Sequence, residues 1–215
     1  MKVLLVDDHP VVRSGLVQLI GEQPDMAVCG EADDVGQALR FFAEQDPDVA
    51  IVDLSLQRDL GGIELIRDIR NQYPRVRILV VSMYDESVFA ERALRAGAMG
   101  YVMKTEAPET LVKAIRSVAK GEVHLSAAVA RRIVSGAVGA PQDRKLPTER
   151  LTDRELEVFQ AIGRGLGTSA IAKALKLSVK TVETYRARIK EKLGLPDAAA
   201  LLERAIQWAQ GIERG

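Results

Sequence analysis

Over the first 120 residues, short runs of Val, Ile, Leu and Met alternate with stretches in which apolar residues recur every three or four positions. That is the pattern of successive βα units around a parallel sheet. It predicts five strands, at residues 3–6, 26–30, 49–52, 78–82 and 100–103. The first, third and fourth are near-continuous apolar runs, which suits strands covered by helices on both faces. Helices are predicted at 10–21, 35–45, 62–72, 86–96 and 108–120, the first and last opening on proline. The expected class is α/β, a five-stranded, doubly wound parallel sheet.

Beyond about residue 124 the pattern loosens. One short helix is predicted at 127–135, and small residues, two prolines and charges over 136–147 read as a flexible linker. From Leu151 the spacing is purely helical, through Leu156, Phe159 and Ile162, Ile171 and Leu175, Val182, Ile189 and Leu193, then Leu201, Ala205 and Trp208. A second, smaller all-α domain of four helices is expected. The division is therefore 1–121, a linker at 122–147 carrying the short helix, and 148–215.

Charge adds something only when the chain is divided. Lys+Arg and Asp+Glu both number 30, but residues 1–121 carry 14 against 19 (net −5) and residues 122–215 carry 16 against 11 (net +5). The chain is polarised. No apolar run approaches the roughly 18–20 residues that span a bilayer, and Asp7 and Asp8 come too early for a signal peptide. The expectation is a cytoplasmic protein with no membrane association. The single cysteine, Cys29, excludes an intrachain disulfide or cysteine-cluster metal site and reads as a small buried thiol.

Parallel α/β sheets place their sites at the carboxyl ends of strands. Those ends carry Asp7 and Asp8, then Asp53, Ser82 and Lys104. Three carboxylates at neighbouring strand ends repel unless a hard cation lies between them, and an oxygen-only set suits Mg²⁺. Phosphoryl chemistry follows: Asp53 as carboxylate nucleophile, with the cation, Lys104 and the Ser82 hydroxyl on the phosphoryl oxygens. His9, opening the first helix, reads as a capping or solvent-facing residue.

Acidic pair, lone Asp, hydroxyl and lysine at four of five strand ends, in this order, resemble the receiver domain of two-component response regulators. So do Val6-Asp7-Asp8-His9-Pro10, Val52-Asp53-Leu54-Ser55, Ala96-Gly97-Ala98 and Gly100-Tyr101-Val102-Met103-Lys104. The resemblance implies a flavodoxin-like fold and a phosphoryl group received on Asp53 from a histidine kinase. It also implies Mg²⁺ held by Asp8, Asp53 and the Ser55 backbone carbonyl with Asp7 in support. Ser82 and Tyr101 fall where the family has its switch hydroxyl and switch aromatic; by its residues alone Tyr101 is equally a half-buried strand aromatic. The chain departs from the family in lacking a proline in the loop 57–62 and in having Thr105 after Lys104.

In the C-terminal part, Thr152 with Glu155 three residues on forms a capping box, and Ser178 caps a helix at 179–193. Two helices joined by a short turn, the second amphipathic and basic, make a helix-turn-helix. Residues 168–192 hold seven basic against two acidic side chains. At 100° per residue Val182, Ile189 and Leu193 share one face, so Lys180, Thr184, Ala187 and Arg188 point away with Glu183 on the flank. Lys180, Arg186, Arg188 and Lys190 are expected on phosphates of double-stranded DNA, with Glu183 and Thr184 on base edges.

Leu151-Thr152-Asp153-Arg154-Glu155, Leu177-Ser178, Thr181-Val182-Glu183-Thr184-Tyr185 and Lys192-Leu193-Gly194-Leu195 resemble the LuxR-type DNA-binding domain of the NarL/FixJ class. Thr181 and the outward-facing Ala187 complete the expected DNA-contacting set. The chain departs from the LuxR pattern in 167–170, in Glu183 where a basic residue is common, and in Tyr185 where histidine is common. The last helix, 197–210, either pairs two chains, giving a homodimer on phosphorylation, or uses Trp208 in the core alone. The combined expectation is a phosphorylation-controlled transcriptional regulator rather than an enzyme, its only catalysis being gain and loss of its own phosphoryl group. The competing readings are an aspartate-nucleophile phosphatase and a constitutive DNA binder with a vestigial receiver.

Overall fold

The structure, a computed structural model, describes residues 1–56, 61–139, 147–175 and 177–209, in two compact units, 1–140 and 141–215. In the first, β1 (Lys2–Val6), β2 (Ala27–Ala32), β3 (Val49–Val52), β4 (Arg77–Ser82) and β5 (Gly100–Met103) alternate with α1 (Pro10–Gly21), α2 (Val35–Gln45), α3 (Gly62–Gln72), α4 (Glu86–Ala96) and α5 (Pro108–Ala119). All strand pairs are parallel, in the order β2-β1-β3-β4-β5. This is the doubly wound order whose direction reverses between β1 and β3, opening a crevice at their carboxyl ends.

The alternation of side chains along the strands explains the two layers. Val3, Leu5, Val49, Ile51, Leu79 and Val81 pack with Leu16 and Ile20 of α1 and with Leu111, Val112 and Ile115 of α5. Leu4, Val6, Ala50, Val52, Ile78 and Val80, facing the other way, are equally buried. Cys29 lies on the edge strand β2 and is only half-buried, a correction to the buried thiol expected.

Residues 122–126, expected as linker, run beside the sheet. His124 bridges Gly100, its N–H donating to Met99 O at 2.9 Å and its carbonyl accepting from Tyr101 N–H at 3.0 Å. The short helix, α6 (Ala127–Gly139), is longer than expected and packs on α4, where the Ser126 hydroxyl donates to Glu86 Oε1 at 2.6 Å. The remainder of the expected linker, 140–146, lies outside the described residues, as do 57–60 of the proline-less loop. The Lys104–Thr105 peptide is trans.

In the second unit a 3-10 turn (Pro147–Arg150) leads into α7 (Asp153–Gly163), α8 (Thr168–Ala174), α9 (Val179–Leu193) and α10 (Ala198–Ala209). The capping box forms as expected: Thr152 accepts from the Glu155 N–H, and Glu155 Oε2 accepts from the Thr152 N–H at 2.7 Å. Gly163 lets α7 approach α10, since a Cβ there would stand 2.5 Å from Ala205 O. Trp208 is half-buried and packs on Phe159, ring centroids 5.6 Å apart, which gives it a place in the core. Among the described residues no helix is long and apolar enough to cross a membrane.

Gly62, the first residue of α3, is required by close approach: a Cβ would lie 2.4 Å from Asp53 O and 2.6 Å from Leu54 Cα, both backbone. Gly62→Ala is expected to destabilise the first unit by about 1–3 kcal/mol, the usual cost of overpacking. In urea denaturation its transition should move to lower urea while that of the second unit stays in place.

Candidate functional site

The polar residues at the strand ends are positioned by the sheet's own hydrogen bonding, carried one residue further. The Asp7 N–H donates to Ala32 O at 3.0 Å, that of Asp53 to Val6 O at 2.9 Å and that of Lys104 to Ser82 O at 2.8 Å. Asp7 and Asp53 are thereby buried at 2% and 1% exposure, and Ser82 is fully buried. Between the two carboxylates lies the Lys104 ammonium, 2.7 Å from Asp7 Oδ2 and 2.7 Å from Asp53 Oδ2. Burial opposes the charge on Lys104, but Asp53 and Asp7 outweigh it and hold the ammonium above its ordinary pKa. Ser55 closes the other side of Asp53, its N–H donating to Oδ1 at 3.2 Å and its hydroxyl to Oδ2.

Asp8 completes the cluster. Its Oδ1 is buried and accepts no hydrogen bond, although His9 Nδ1 lies 2.7 Å away. Donor atoms of Asp7, Asp8, His9 and Asp53 all fall within 4.8 Å of one another. Three carboxylates against one ammonium leave formal negative charge, and the unsatisfied Asp8 oxygen faces it. The arrangement fits a hard cation held mainly by oxygen.

Ser82 and Tyr101 are joined through Tyr84. The Tyr84 N–H donates to Ser82 Oγ at 3.3 Å, and the Tyr101 hydroxyl donates to Tyr84 O at 2.8 Å. The Tyr101 ring is 1% exposed, and burial pushes its phenol above the ordinary value. It is not the half-buried strand aromatic of the alternative reading.

The second unit presents the helix-turn-helix as α8 and α9, with Ser178 capping α9 by accepting from the Thr181 N–H at 3.0 Å. Lys176 lies outside the described residues. On α9, Val182 and Ile189 are buried and Leu193 is only half-buried, while Lys180, Glu183, Thr184, Ala187 and Arg188 are exposed. Thr181, Arg186 and Lys190 are half-buried at its flanks. Glu155 anchors the helix from beneath: at 2% exposure its carboxylate accepts from Lys192 Nζ at 2.6 Å.

Comparison with known proteins accounts for both units. Residues 3–116 match the response regulator receiver domain, and residues 149–205 match the bacterial regulatory proteins of the luxR family. The chain belongs to the two-component response regulators. It is 36% identical over 211 residues to oxygen regulatory protein NreC of Staphylococcus haemolyticus, covering 96% of this chain and 97% of that one. It also resembles RcsB of Salmonella enterica serovar Typhimurium bound to promoter rprA in the presence of the phosphomimetic BeF3⁻ (30% identity, 94% and 96% coverage, TM-score 0.61). A further similar structure contains two RcsB dimers bound to two parallel DNAs (29% identity, 94% and 96% coverage, TM-score 0.58). This response regulator is thus a DNA-binding protein controlled by phosphorylation, with a kinase as the partner of its receiver.

The response-regulator family has no known role as a catalytic enzyme, and the phosphatase reading lacks its acid: the residue two after Asp53 is Ser55, which hydrogen-bonds Asp53 itself. Two more residues border the acids: Arg13, which carried no signal in the sequence, and His9, which stands at the N-cap of α1 as expected. His9 is 42% exposed, but its imidazole turns toward the acids, with Nδ1 3.3 Å from Asp7 Oδ1 and 3.7 Å from Asp53 Oδ2. The signal was Pro10, since a residue before proline is confined to extended backbone; His9 has φ −96° and ψ 105°. Arg13, one turn on, donates from NH1 to Asp7 O at 2.7 Å and so braces the turn that carries the acidic pair.

Burial would raise the Glu155 carboxyl, but the bond from Lys192 and the Thr152 N–H hold it below its ordinary value of 4.5. A group depressed on folding contributes stability that is present above its unfolded pKa and lost as pH falls through the folded value. The second unit should therefore weaken on acidification below about pH 4.5. In thermal melts across pH 3–7, the advantage of wild type over Glu155→Gln should be full at neutral pH and shrink toward pH 3.

Proposed function

We propose that this is a cytoplasmic protein, that Asp53 is the phosphoacceptor and that its phosphorylation by a histidine kinase controls pairing of two chains on DNA. The observation that carries this reading is the Asp53 carboxylate, almost wholly buried at the end of β3, where the strand order reverses beside β1, with Lys104 at 2.7 Å. A carboxylate oxygen of Asp53 attacks phosphorus as the bond to the donor, the kinase imidazole nitrogen, breaks. Lys104 already shares its charge between Asp53 and Asp7, so it can turn to a phosphoryl oxygen without leaving the site. Ser82, buried at the end of β4, supplies a hydroxyl to another oxygen.

Asp8, Asp53 and the Ser55 backbone carbonyl would hold Mg²⁺, with Asp7 supporting them. When bound, the ion neutralises charge developing on the transferred group. Asp8 offers it the oxygen that no hydrogen bond satisfies. Because the receiver carries its own acceptor and charge-stabilising groups, small phosphodonors should serve in place of the kinase. Movement of the Ser82 hydroxyl toward the phosphoryl group would pull on Tyr84 and so on Tyr101. The Tyr101 ring is already inside, so the switch proposed is a shift of this hydrogen-bonded chain and of the β4–α4 turn, not the entry of a ring into vacated space.

On DNA, α9 would enter the major groove with Lys180, Thr184, Ala187 and Arg188 on its leading face, Glu183 and Thr184 toward base edges and Lys180, Arg186, Arg188 and Lys190 toward phosphates, with Thr181 at the flank. The RcsB structures, with DNA, dimers and a phosphomimetic, support this reading by similarity. Leu202, 42% exposed on α10, is the apolar residue that helix offers to a second copy.

Incubation with a small phosphodonor and Mg²⁺ should give an acid-labile phosphoprotein in wild type and none in Asp53→Asn; label persisting in that variant would move the acceptor elsewhere. Asp8→Asn should weaken Mg²⁺ binding in calorimetry at least tenfold, the scale on which loss of a metal-site partner acts.

DNA affinity should fall steeply with salt, as counterion release requires. Lys180→Ala or Arg188→Ala should lower the slope of log K against log salt by about 1 each, on every sequence alike. Titrations on one duplex at several salt concentrations would measure this.

A further inference from the structure

Glu183 is anomalous on a surface proposed to face a polyanion. It is exposed on a helix that also carries Lys180, Arg186 and Arg188, and an acid there is repelled by phosphates. The one favourable role for such a group in a groove is to accept from a base amino group, cytosine N4 above all. A free glutamate would spread over many rotamers and read nothing well. This one is not free: the Thr168 hydroxyl, at the first residue of α8, donates to Glu183 Oε1 at 2.8 Å across the helix-turn-helix.

We propose that Thr168 is a positioning residue for sequence recognition, holding one oxygen of Glu183 so that the other is presented to a cytosine amino group. Both residues stand where the chain departs from the luxR pattern, so the pair belongs to this protein's own recognition surface. Neighbouring Thr184 fits the same picture. Its hydroxyl donates back to Lys180 O at 3.0 Å, which leaves its methyl group for the groove and for a thymine methyl. Together they specify a C·G pair with a T·A pair close by. The inference rests on α9 entering the major groove, and the experiment separates the two.

Full-length protein treated with a small phosphodonor would select from DNA duplexes with randomised positions, as wild type, Glu183→Ala, Thr168→Val and Thr168→Ser. Wild type should enrich a C·G pair at one position, and Glu183→Ala should lose that enrichment. Thr168→Val, which keeps the shape and removes the donor, should weaken it by about three- to tenfold, the worth of one such hydrogen bond. Affinity for a random-sequence duplex should be unchanged, and Thr168→Ser should restore the preference. If Thr168→Val keeps the preference that Glu183→Ala loses, Thr168 has no positioning role although the groove reading stands. If Glu183→Ala keeps it, the groove register is wrong and the proposal falls with it. Equal loss on selected and random duplexes in Thr168→Val, with lower helicity by circular dichroism, would reduce Thr168 to a structural residue and overturn the proposal.

Discussion

Two buried carboxylates sharing one ammonium is the constraint on which the first unit depends. The parallel sheet delivers Asp7 and Asp53 to adjacent, buried strand ends, where a carboxylate is costly to bury without a partner. Lys104 supplies the counter-charge from β5, two strands away from Asp53 in the sheet order, with a side chain only 5% exposed. Removing one member of such a buried set typically costs about 3–5 kcal/mol, because it leaves an uncompensated charge. The same arrangement is chemically poised. An ammonium held between two acids can transfer its attention to a third anion, and an acidic set with one oxygen outside any hydrogen bond could hold a cation. Stability and reactivity come from one electrostatic imbalance.

The second unit uses a carboxylate in a related way. Glu155 caps α7 and also accepts from Lys192 near the end of α9, so the start of one helix and the end of another are tied to one side chain. The second helix of the helix-turn-helix is thereby referred to α7, and α7 to α10 through the close approach at Gly163. A rigid base of this kind makes side-chain positions on the exposed face of α9 meaningful, since base contacts discriminate only when the helix is held in register.

Much of this was legible in the chain. Short apolar runs and period-3.6 patterns placed β3, β5, α1, α2, α3, α4 and α9 at the residues they occupy, because strands buried on both faces and amphipathic helices leave distinct apolar spacing. The capping residues Thr152 and Ser178 were equally plain, since an N-cap acts within four residues and involves no distant partner. The carboxylate set could be listed in order because strand ends in a parallel sheet converge by topology alone.

What the chain did not disclose involves partners far apart in sequence or the orientation of a side chain about its own bonds. His9 is the N-cap residue its place before Pro10 suggests, but the turn of its ring toward the acids depends on where β1 and β3 bring Asp7 and Asp53. Residues 122–126 read as linker because His124 has no apolar pattern, yet the open edge of β5 was waiting for a backbone partner. The bonds from Thr168 to Glu183 and from Lys192 to Glu155 join residues 15 and 37 apart, on different helices. The sequence by itself determined which segments fold and which residue types crowd the strand ends, since local propensity and burial act through near neighbours. Only the tertiary structure decided which donor meets which acceptor, because that is set by the packing of whole elements against one another.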